Sequence, residues 1–387
     1  MTEREFKREV KEDKPVIAIC YDFDKTLSPE DMQAQGFIQD IGFDISDFWN
    51  KSNDFAKEND MDQNLAYMLT MKNEADGKLL FTKKVLAKYG SKVNLFPGVE
   101  EWFDRIRNYG QEKGVIVEHY IISSGLREMI EGTTIAKNGA FKEIYATSFY
   151  CNEKGVAVWP AQVVNYTNKT QFLFRISKGV LGLGDKGVND YFDPEEIRVP
   201  FHNMIYIGDS DTDIPCMKLV NNRGGYSIGV YNPKTGNKDK VFQMMRDNRI
   251  SYYTPADYSE NGELDELVKL IIDRTVFNER LENKHYGYKN EVFSQKKKEN
   301  NERRKKALIK ELDSSSTFYE THSIIRKLSK YNSWEDTEIS KLLSIAYNNS
   351  QVNLILSDED LQEFFGEILD KASSDTPYKQ KIQDLLN

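Results

Sequence analysis

Apolar and polar residues alternate in blocks along the first two thirds of the chain, and these blocks predict strands and helices in turn. The run Val16–Tyr21 is continuously apolar and rich in β-branched and aromatic residues, which predicts a fully buried strand. Similar runs at 115–122, 204–207 and 226–231 predict three more. Buried strands separated by helical segments favour a parallel sheet with helices on both faces. We therefore expect an α/β fold with a Rossmann-like, doubly wound parallel sheet.

Two other regions have the spacing of helices throughout. From about 30 to 92, apolar residues recur every three or four positions without strand-like alternation. Beyond 262 the segments become long, charged and helical. The pattern predicts a helical cap inserted after the first strand and a helical C-terminal extension. The expected domains are a core of residues 14–29 and 93–260, a cap of residues 30–92, and an extension of residues 262–387 whose role the sequence does not indicate.

Composition and charge narrow the functional classes. The 387 residues are 39% hydrophobic and 30% charged, which is typical of a soluble globular protein. The net charge of −9 argues against a whole-protein role at a nucleic acid or a membrane surface. The basic run 296–310 is the single hint of a nucleic-acid contact, and such runs usually form a solvated helix face.

Cysteine usage and hydropathy predict a cytoplasmic location. The three cysteines show neither metal-ligand spacing nor a disulfide framework, as expected in a reducing compartment. Residues 1–14 are charged and lack the apolar segment of a signal peptide. Since no apolar run approaches ~18 residues, we expect no membrane-spanning helix.

Three of the predicted strands end in polar groups. The sequences are Asp-Phe-Asp-Lys-Thr at 22–26, Ser-Ser-Gly at 123–125 and Gly-Asp-Ser-Asp-Thr-Asp at 208–213. Because the carboxyl ends of parallel strands meet at one edge of a sheet, where ligands bind, we expect these groups to converge. Neighbouring carboxylates repel each other unless a cation or a shared proton compensates them.

The converging groups are those that phosphoryl transfer needs. Carboxylates hold Mg²⁺, a hard cation that prefers oxygen ligands. One carboxylate can attack phosphorus to form an aspartyl-phosphate, and a second can move the proton of the leaving oxygen and of water. A hydroxyl and a lysine can bind the phosphoryl oxygens, whose charge must be stabilised in the transition state.

The three motifs, in this order, resemble those of the haloacid dehalogenase-like (HAD) phosphatases. Residues 22–27 match the DxDxT signature, Ser123 matches the second motif, and residues 208–213 match the GDxxxD form of the fourth. The resemblance covers roughly residues 14–255. The helical insert and the region 145–169 are similar to the phosphoserine phosphatase-like subgroup.

The resemblance implies roles for four acidic residues. Asp22 would be the nucleophile and a Mg²⁺ ligand. Asp24 would be the general acid/base, with its backbone carbonyl on the metal. Asp209 would be the other carboxylate ligand, and Asp213 would help to anchor the metal.

The resemblance also implies substrate-binding residues. Thr26 would support the first motif loop, and Ser123, with Ser124 beside it, would bind the phosphoryl group. The family's third motif is a lysine that binds the phosphoryl group, and two lysines of this sequence are candidates for it. Lys169 is favoured because the helix after it has a coherent apolar face, whereas Lys178 is followed by glycine as in some phosphoserine phosphatases.

The expected function is Mg²⁺-dependent hydrolysis of a small phosphorylated metabolite, a phosphomonoester, through an aspartyl-phosphate. Two alternatives remain open from the sequence. One is a phosphotransferase or phosphomutase that uses the same intermediate with another acceptor. The other is a regulatory or scaffold protein whose core senses a phosphorylated ligand.

Overall fold

The computed structural model describes residues 8–386, apart from the side chain of residue 297. Part of the charged N-terminal segment considered above, residues 1–7, lies outside the described residues. The chain forms two compact units that divide between Leu281 and Glu282. None of the helices within the described range combines the length and the apolar character needed to cross a membrane.

The first unit is built on one seven-stranded sheet in the order β4-β3-β2-β1-β5-β6-β7. All neighbouring strands are parallel except β3 and β4, which form an antiparallel hairpin. The predicted α/β fold with a doubly wound sheet is therefore confirmed. The strands are β1 (Val16–Tyr21), β2 (Ile116–Leu126), β3 (Glu143–Cys151), β4 (Ala157–Gln162), β5 (Met204–Gly208), β6 (Tyr226–Tyr231) and β7 (Tyr252–Pro255).

β1 lies at the centre of the sheet, between β2 and β5. Its side chains alternate between two hydrophobic cores because successive residues of a strand point to opposite faces. The odd-numbered positions from Ile17 to Tyr21 lie in one core, and the even-numbered positions from Val16 to Cys20 lie in the other. The chain moves from β1 towards β4 and then returns to the far side of β1 at β5, so the sheet reverses its winding beside β1. Ligands bind at such a reversal in open α/β sheets.

Helices cover both faces of the sheet and form the insert after β1. We call residues 30–92 the cap, which is helical as predicted and contains the first four helices. The helices of the first unit are α1 (Phe37–Asp40), α2 (Ile45–Glu58), α3 (Gln63–Ala75), α4 (Lys83–Gly90), α5 (Val99–Glu112), α6 (Arg127–Ile130), α7 (Thr134–Lys137), α8 (Thr170–Lys178), α9 (Ile214–Asn222) and α10 (Asp239–Arg246).

The C-terminal extension is helical, as predicted. It begins with α11 (Glu263–Asp313), which runs from the first unit into the second. The second unit has its own hydrophobic core, which includes Leu312, Ile325 and Leu342. Its remaining helices are α12 (Phe318–Leu328), α13 (Asp336–Asn348), α14 (Ser350–Leu354), α15 (Glu359–Lys371) and α16 (Lys379–Leu386).

The region after the second strand differs from its prediction. The sequence predicts a strand that ends at Ile122 and one helix from 126 to 136. β2 instead continues to Leu126 through a register shift against β3, and two short helices, α6 and α7, follow it. The helix is interrupted because Thr133 caps α7, with its hydroxyl accepting a hydrogen bond from the Ala136 amide at 3.3 Å.

Candidate active site

The first motif follows β1 directly and is held against both the sheet and the cap. The Asp22 amide donates to the Ile207 carbonyl of β5 at 3.0 Å, which continues the sheet pairing by one residue. Lys25 then adopts a left-handed backbone with φ of 59°. The Met32 amide, at the entry to the cap, donates to Asp24 Oδ1 at 2.8 Å. The sheet thus fixes the backbone of Asp22, and the entry to the cap fixes the carboxylate of Asp24.

Asp22 is a buried carboxylate beside a buried ammonium. Its Oδ1 lies 3.3 Å from Lys169 Nζ, but no donor in the described part of the chain hydrogen-bonds to that oxygen. Burial and the negative charge of Asp213 raise the pKa of Asp22 to about 6, against the opposing effect of Lys169. The charge of Lys169 therefore does not fully offset the effects of burial and of Asp213 on the Asp22 carboxylate.

Asp24 is surrounded by acidic groups. Burial, and then the charges of Asp31 and Asp22, raise the pKa of Asp24 well above its ordinary value, although the Met32 amide acts in the opposite direction. A carboxyl group in this environment favours its protonated form. That form can donate a proton to a leaving oxygen.

Asp209 stands at the end of β5, across from Asp22. Its Oδ1 is buried and has no hydrogen-bond partner among the described residues. Burial and the charges of Asp213 and Asp22 raise the pKa of Asp209 to about 8. Carboxylate oxygens of these three aspartates all lie within 4.8 Å of one another.

This arrangement fits a hard divalent cation. Asp22 and Asp209 each direct a buried oxygen without a donor toward the shared space. Carboxylate oxygens are the ligands that Mg²⁺ prefers, and a cation there would offset the burial and the mutual repulsion that raise the pKa values of Asp22 and Asp209.

Asp213 is already saturated by protein donors. Its Oδ1 accepts from Lys169 Nζ at 2.7 Å and from the Tyr206 hydroxyl at 2.8 Å. Its Oδ2 accepts from the amide of Ser210 at 3.1 Å and from its hydroxyl at 2.9 Å. The Lys169 side chain is fully buried, and its net pKa is raised because the carboxylates of Asp213 and Asp22 outweigh the lowering effect of burial. Asp213 therefore orients the lysine and the loop after β5.

The structure brings one of the two candidate lysines to the carboxylates. Lys169 lies at the N-terminal end of α8, beside Asp22. Lys178 lies at the other end, where its Nζ donates to the carbonyls of Val188 and Asp190 at 2.7 Å each. Lys178 is therefore a partner of the loop that follows α8.

The predicted hydroxyl residues occupy different positions. Ser123 is buried at the cavity, where its Oγ accepts from the Gly125 amide at 3.1 Å. Ser124 also lines the cavity, and its hydroxyl has no partner among the described residues. Thr26 is fully buried and its side chain is not part of the cavity lining, while its carbonyl accepts from the Tyr258 hydroxyl at 2.9 Å. Thr26 thus supports the loop and does not face the cavity.

Gly125 allows the second motif to approach the first. A Cβ atom at this position would lie 2.8 Å from Asp24 Oδ2, 2.7 Å from the Met32 side chain and 3.3 Å from Ser123 Oγ. Any other residue would displace one of these groups. The close approach depends on the extension of β2 beyond Ser123, which the sequence pattern did not predict.

The cap and β5 supply residues that the sequence pattern does not assign to the site. Gln33, Trp49, Asn64 and Tyr67 line the same cavity as the carboxylates. Trp49 is one of several aromatic residues in the insert, with Phe48 and Phe55, and the sequence pattern does not separate it from those that pack in the cap core. Tyr206, inside the buried run of β5, has no polar neighbour in sequence that would indicate its bond to Asp213.

The fold and the site together define a class of enzyme: a hydrolase with a parallel sheet and an aspartate pair after its central strand. Residues 19–218 match the haloacid dehalogenase-like hydrolase family. The chain belongs to this family, which confirms the resemblance stated above.

The sequence identity to individual relatives and solved structures is low. An uncharacterized protein of Borreliella burgdorferi (strain ATCC 35210 / DSM 4680 / CIP 102532 / B31) is 26% identical over 273 residues, which cover 64% of this chain and 94% of that protein. A HAD family hydrolase from Salmonella enterica subsp. enterica serovar Typhi is 17% identical, with a TM-score of 0.44 over 67% of this chain and 73% of that one. A substrate-bound phosphoserine phosphatase is 14% identical, with a TM-score of 0.41 over 67% of this chain and 99% of that one.

Proposed function

We propose that this protein is a Mg²⁺-dependent phosphatase that hydrolyses a small phosphomonoester through an aspartyl-phosphate on Asp22. The observation that carries the proposal is the position of Asp22, which lines the cavity and whose buried carboxylate lies 3.3 Å from the ammonium of Lys169. The free cysteines of the described chain support a cytoplasmic location, where phosphorylated metabolites are available.

Asp22 and Asp209 would hold Mg²⁺, with the carbonyl of Asp24 as a further ligand, and Asp213 would anchor the site through Ser210 and Lys169. When bound, the cation offsets the repulsion between an anionic nucleophile and an anionic phosphate. The unpartnered oxygens of Asp22 and Asp209 support this assignment.

In the first half-reaction, a carboxylate oxygen of Asp22 attacks phosphorus and the bond to the leaving oxygen breaks. Asp24, whose pKa is raised by burial and by its acidic neighbours, gives its proton to that oxygen. Lys169 and the hydroxyl of Ser123 bind the phosphoryl oxygens, where charge must be held in the transition state. The products of this step are an alcohol and an aspartyl-phosphate.

In the second half-reaction, Asp24 takes a proton from water, and the oxygen of that water attacks phosphorus. The bond to Asp22 breaks, which releases inorganic phosphate and restores both aspartates. Asp24 can serve both steps because it returns to its protonated form as the intermediate is hydrolysed.

The proposal is tested by measuring phosphate release from p-nitrophenyl phosphate by the full chain, with Mg²⁺ and with excess chelator. We expect turnover only with Mg²⁺, and a phosphorylated enzyme that is cleaved by hydroxylamine, as acyl phosphates are. Turnover that persists with chelator, or a label that resists hydroxylamine, would contradict the proposal. Adding competing alcohols tests for phosphotransfer, since a transferase would form new phosphate esters in place of inorganic phosphate.

A further inference from the structure

Four uncharged side chains of the cap line the active-site cavity. Gln33, Trp49, Asn64 and Tyr67 all come from the cap and face the same cavity as Asp22. The cavity has a volume of about 240 Å³, which the phosphoryl group and the leaving group must share. This is below the range of roughly 300–1,000 Å³ for drug-sized ligands, so the leaving group is small.

These cap residues offer both hydrogen-bond donors and acceptors. The indole N–H of Trp49, at the cavity wall, is buried and has no acceptor among the described residues. The side-chain amide of Asn64 donates to the Val164 carbonyl at 2.8 Å, which leaves its oxygen available as an acceptor. The Tyr67 hydroxyl donates to the Ser124 carbonyl at 2.8 Å and retains its own capacity to accept. Gln33 is 2% exposed and contributes a further amide.

A charged leaving group would lack a counter-ion on this side of the cavity. Asp31 is the charged cap residue in the described lining, and both of its oxygens lie 3.0 Å from Lys25 Nζ. The described lining contains no arginine, and its two lysines already have carboxylate partners: Lys25 pairs with Asp31, and Lys240 Nζ lies 3.9 Å from Asp211 Oδ2. Burying a carboxylate or an ammonium without a partner is strongly unfavourable, whereas hydroxyl groups can pair with amides and an indole.

We propose that the substrate is the monophosphate of a small, uncharged polyol or sugar. Its hydroxyl groups would bind Trp49 Nε1, the amide of Gln33 and the amide oxygen of Asn64. Its carbon-bound hydrogens would pack on the aromatic surface of Trp49 and Tyr67, whose rings meet edge to face at 6.0 Å. This inference rests on the proposed phosphatase function and specifies the leaving group that the same site accepts.

The first test compares kcat/KM of the full chain, with Mg²⁺, for five esters. They are glycerol 3-phosphate, ribose 5-phosphate, phosphoserine, phosphocholine and phenyl phosphate. We expect kcat/KM for glycerol 3-phosphate and ribose 5-phosphate, whose leaving groups are uncharged, to exceed that for phosphoserine and phosphocholine by about tenfold or more. The reason is that a leaving group with an unpaired buried charge binds poorly. A preference for phosphoserine or phosphocholine would overturn the inference and leave the phosphatase function standing. If none of the esters shows Asp22-dependent hydrolysis, the proposed function fails and this inference fails with it.

The second test removes a single hydrogen bond. Trp49→Phe keeps an aromatic ring but loses the N–H, so the ratio of kcat/KM for glycerol 3-phosphate to that for phenyl phosphate should fall about tenfold. Trp159→Phe is the matched control, because Trp159 is 71% exposed on β4 and does not line the cavity. An unchanged ratio in Trp49→Phe would contradict the assigned role of the indole.

Discussion

Lys169 and Asp213 form a fully buried ion pair, with 2.7 Å between Nζ and Oδ1. The pair lies behind Asp22, so that the ammonium is shared between a carboxylate that positions it and one that is assigned to attack phosphorus. This lysine opposes the charges of both buried carboxylates.

Replacing Lys169 with Met should therefore impair both activity and stability. Phosphoryl oxygens would lose a cationic partner, which lowers kcat/KM by about 10²–10³-fold. The uncompensated buried carboxylates should reduce the free energy of unfolding by about 3–5 kcal/mol. Steady-state kinetics and urea unfolding measure the two effects. Lys178→Met is the matched control for activity, because the Lys178 ammonium donates to carbonyls of the loop after α8 and not to a carboxylate of the site. Equal losses of activity in both variants would contradict the choice of Lys169.

Asp22→Asn should separate activity from stability. Loss of the nucleophile should reduce kcat by on the order of 10⁴-fold or more. Stability should be equal or higher without Mg²⁺, because the substitution removes a buried charge that repels Asp209 and Asp213. Thermal unfolding and phosphate release test this. Asp211→Asn serves as the control, since the Asp211 side chain is 81% exposed and should leave kcat unchanged. Retained turnover in Asp22→Asn would exclude the proposed intermediate.

Gly125→Ala should lower activity because the added methyl group collides with the Asp24 carboxylate. The new Cβ would meet Asp24 Oδ2 at 2.8 Å, which displaces the acid from its bond with the Met32 amide. We expect kcat to fall by roughly 10–10²-fold, since misplacement of a catalytic group by about 1 Å has effects of this size. Gly184→Ala is the matched control because a Cβ there meets nothing within 4 Å. If both alanine variants have wild-type kcat, the close approach has no catalytic importance.

His119 should make the stability of the fold depend on pH. It is buried, accepts at Nδ1 from the Tyr21 hydroxyl at 2.9 Å, and donates from Nε2 to the Phe103 carbonyl at 3.2 Å. The Tyr21 oxygen itself accepts from the indole of Trp102 at 2.8 Å, which fixes this direction of donation. Burial, with the nearby charge of Arg107, lowers the pKa of His119 to about 3. The folded state therefore keeps a neutral imidazole.

Below about pH 6.5, His119 is protonated in the unfolded chain but stays neutral in the folded chain. The contribution is fully present above that pH and is lost as the pH falls toward 3, at about 1.4 kcal/mol per pH unit. Urea unfolding of the wild type and His119→Gln at pH 7.5, 6.0 and 5.0 checks this. The variant should be less stable at pH 7.5 but lose stability less steeply. Parallel pH profiles would show that His119 does not titrate between the two states.

The sequence predicted the parts of the site that depend on one strand at a time. Asp22, Ser123 and Asp209 each follow an apolar run, and the parallel order of β1, β2 and β5 brings them to one edge. The lysine was ambiguous because Lys169 and Lys178 lie at opposite ends of the same helix, and periodicity does not show which end faces the sheet edge.

The cap contribution was not predictable in the same way. Gln33, Trp49, Asn64 and Tyr67 come from separate segments, so their convergence depends on how those segments pack and not on any local spacing. The extension of β2 through Ser124 was also missed, because two serines and a glycine have low strand propensity and tertiary contact with β3 overrides it.

Because the Met32 amide donates a hydrogen bond to Asp24, the cap cannot be exchanged without also changing the environment of this carboxylate. Met32, whose amide orients the proposed proton-transfer acid Asp24, belongs to the segment that leads into the cap, whereas Asp24 itself follows β1. A transplanted cap would thus bring its own geometry for Asp24 as well as its own pocket walls. Substrate range and proton transfer would then change together in any chimera, and selection for a new leaving group acts on the chemical step at the same time.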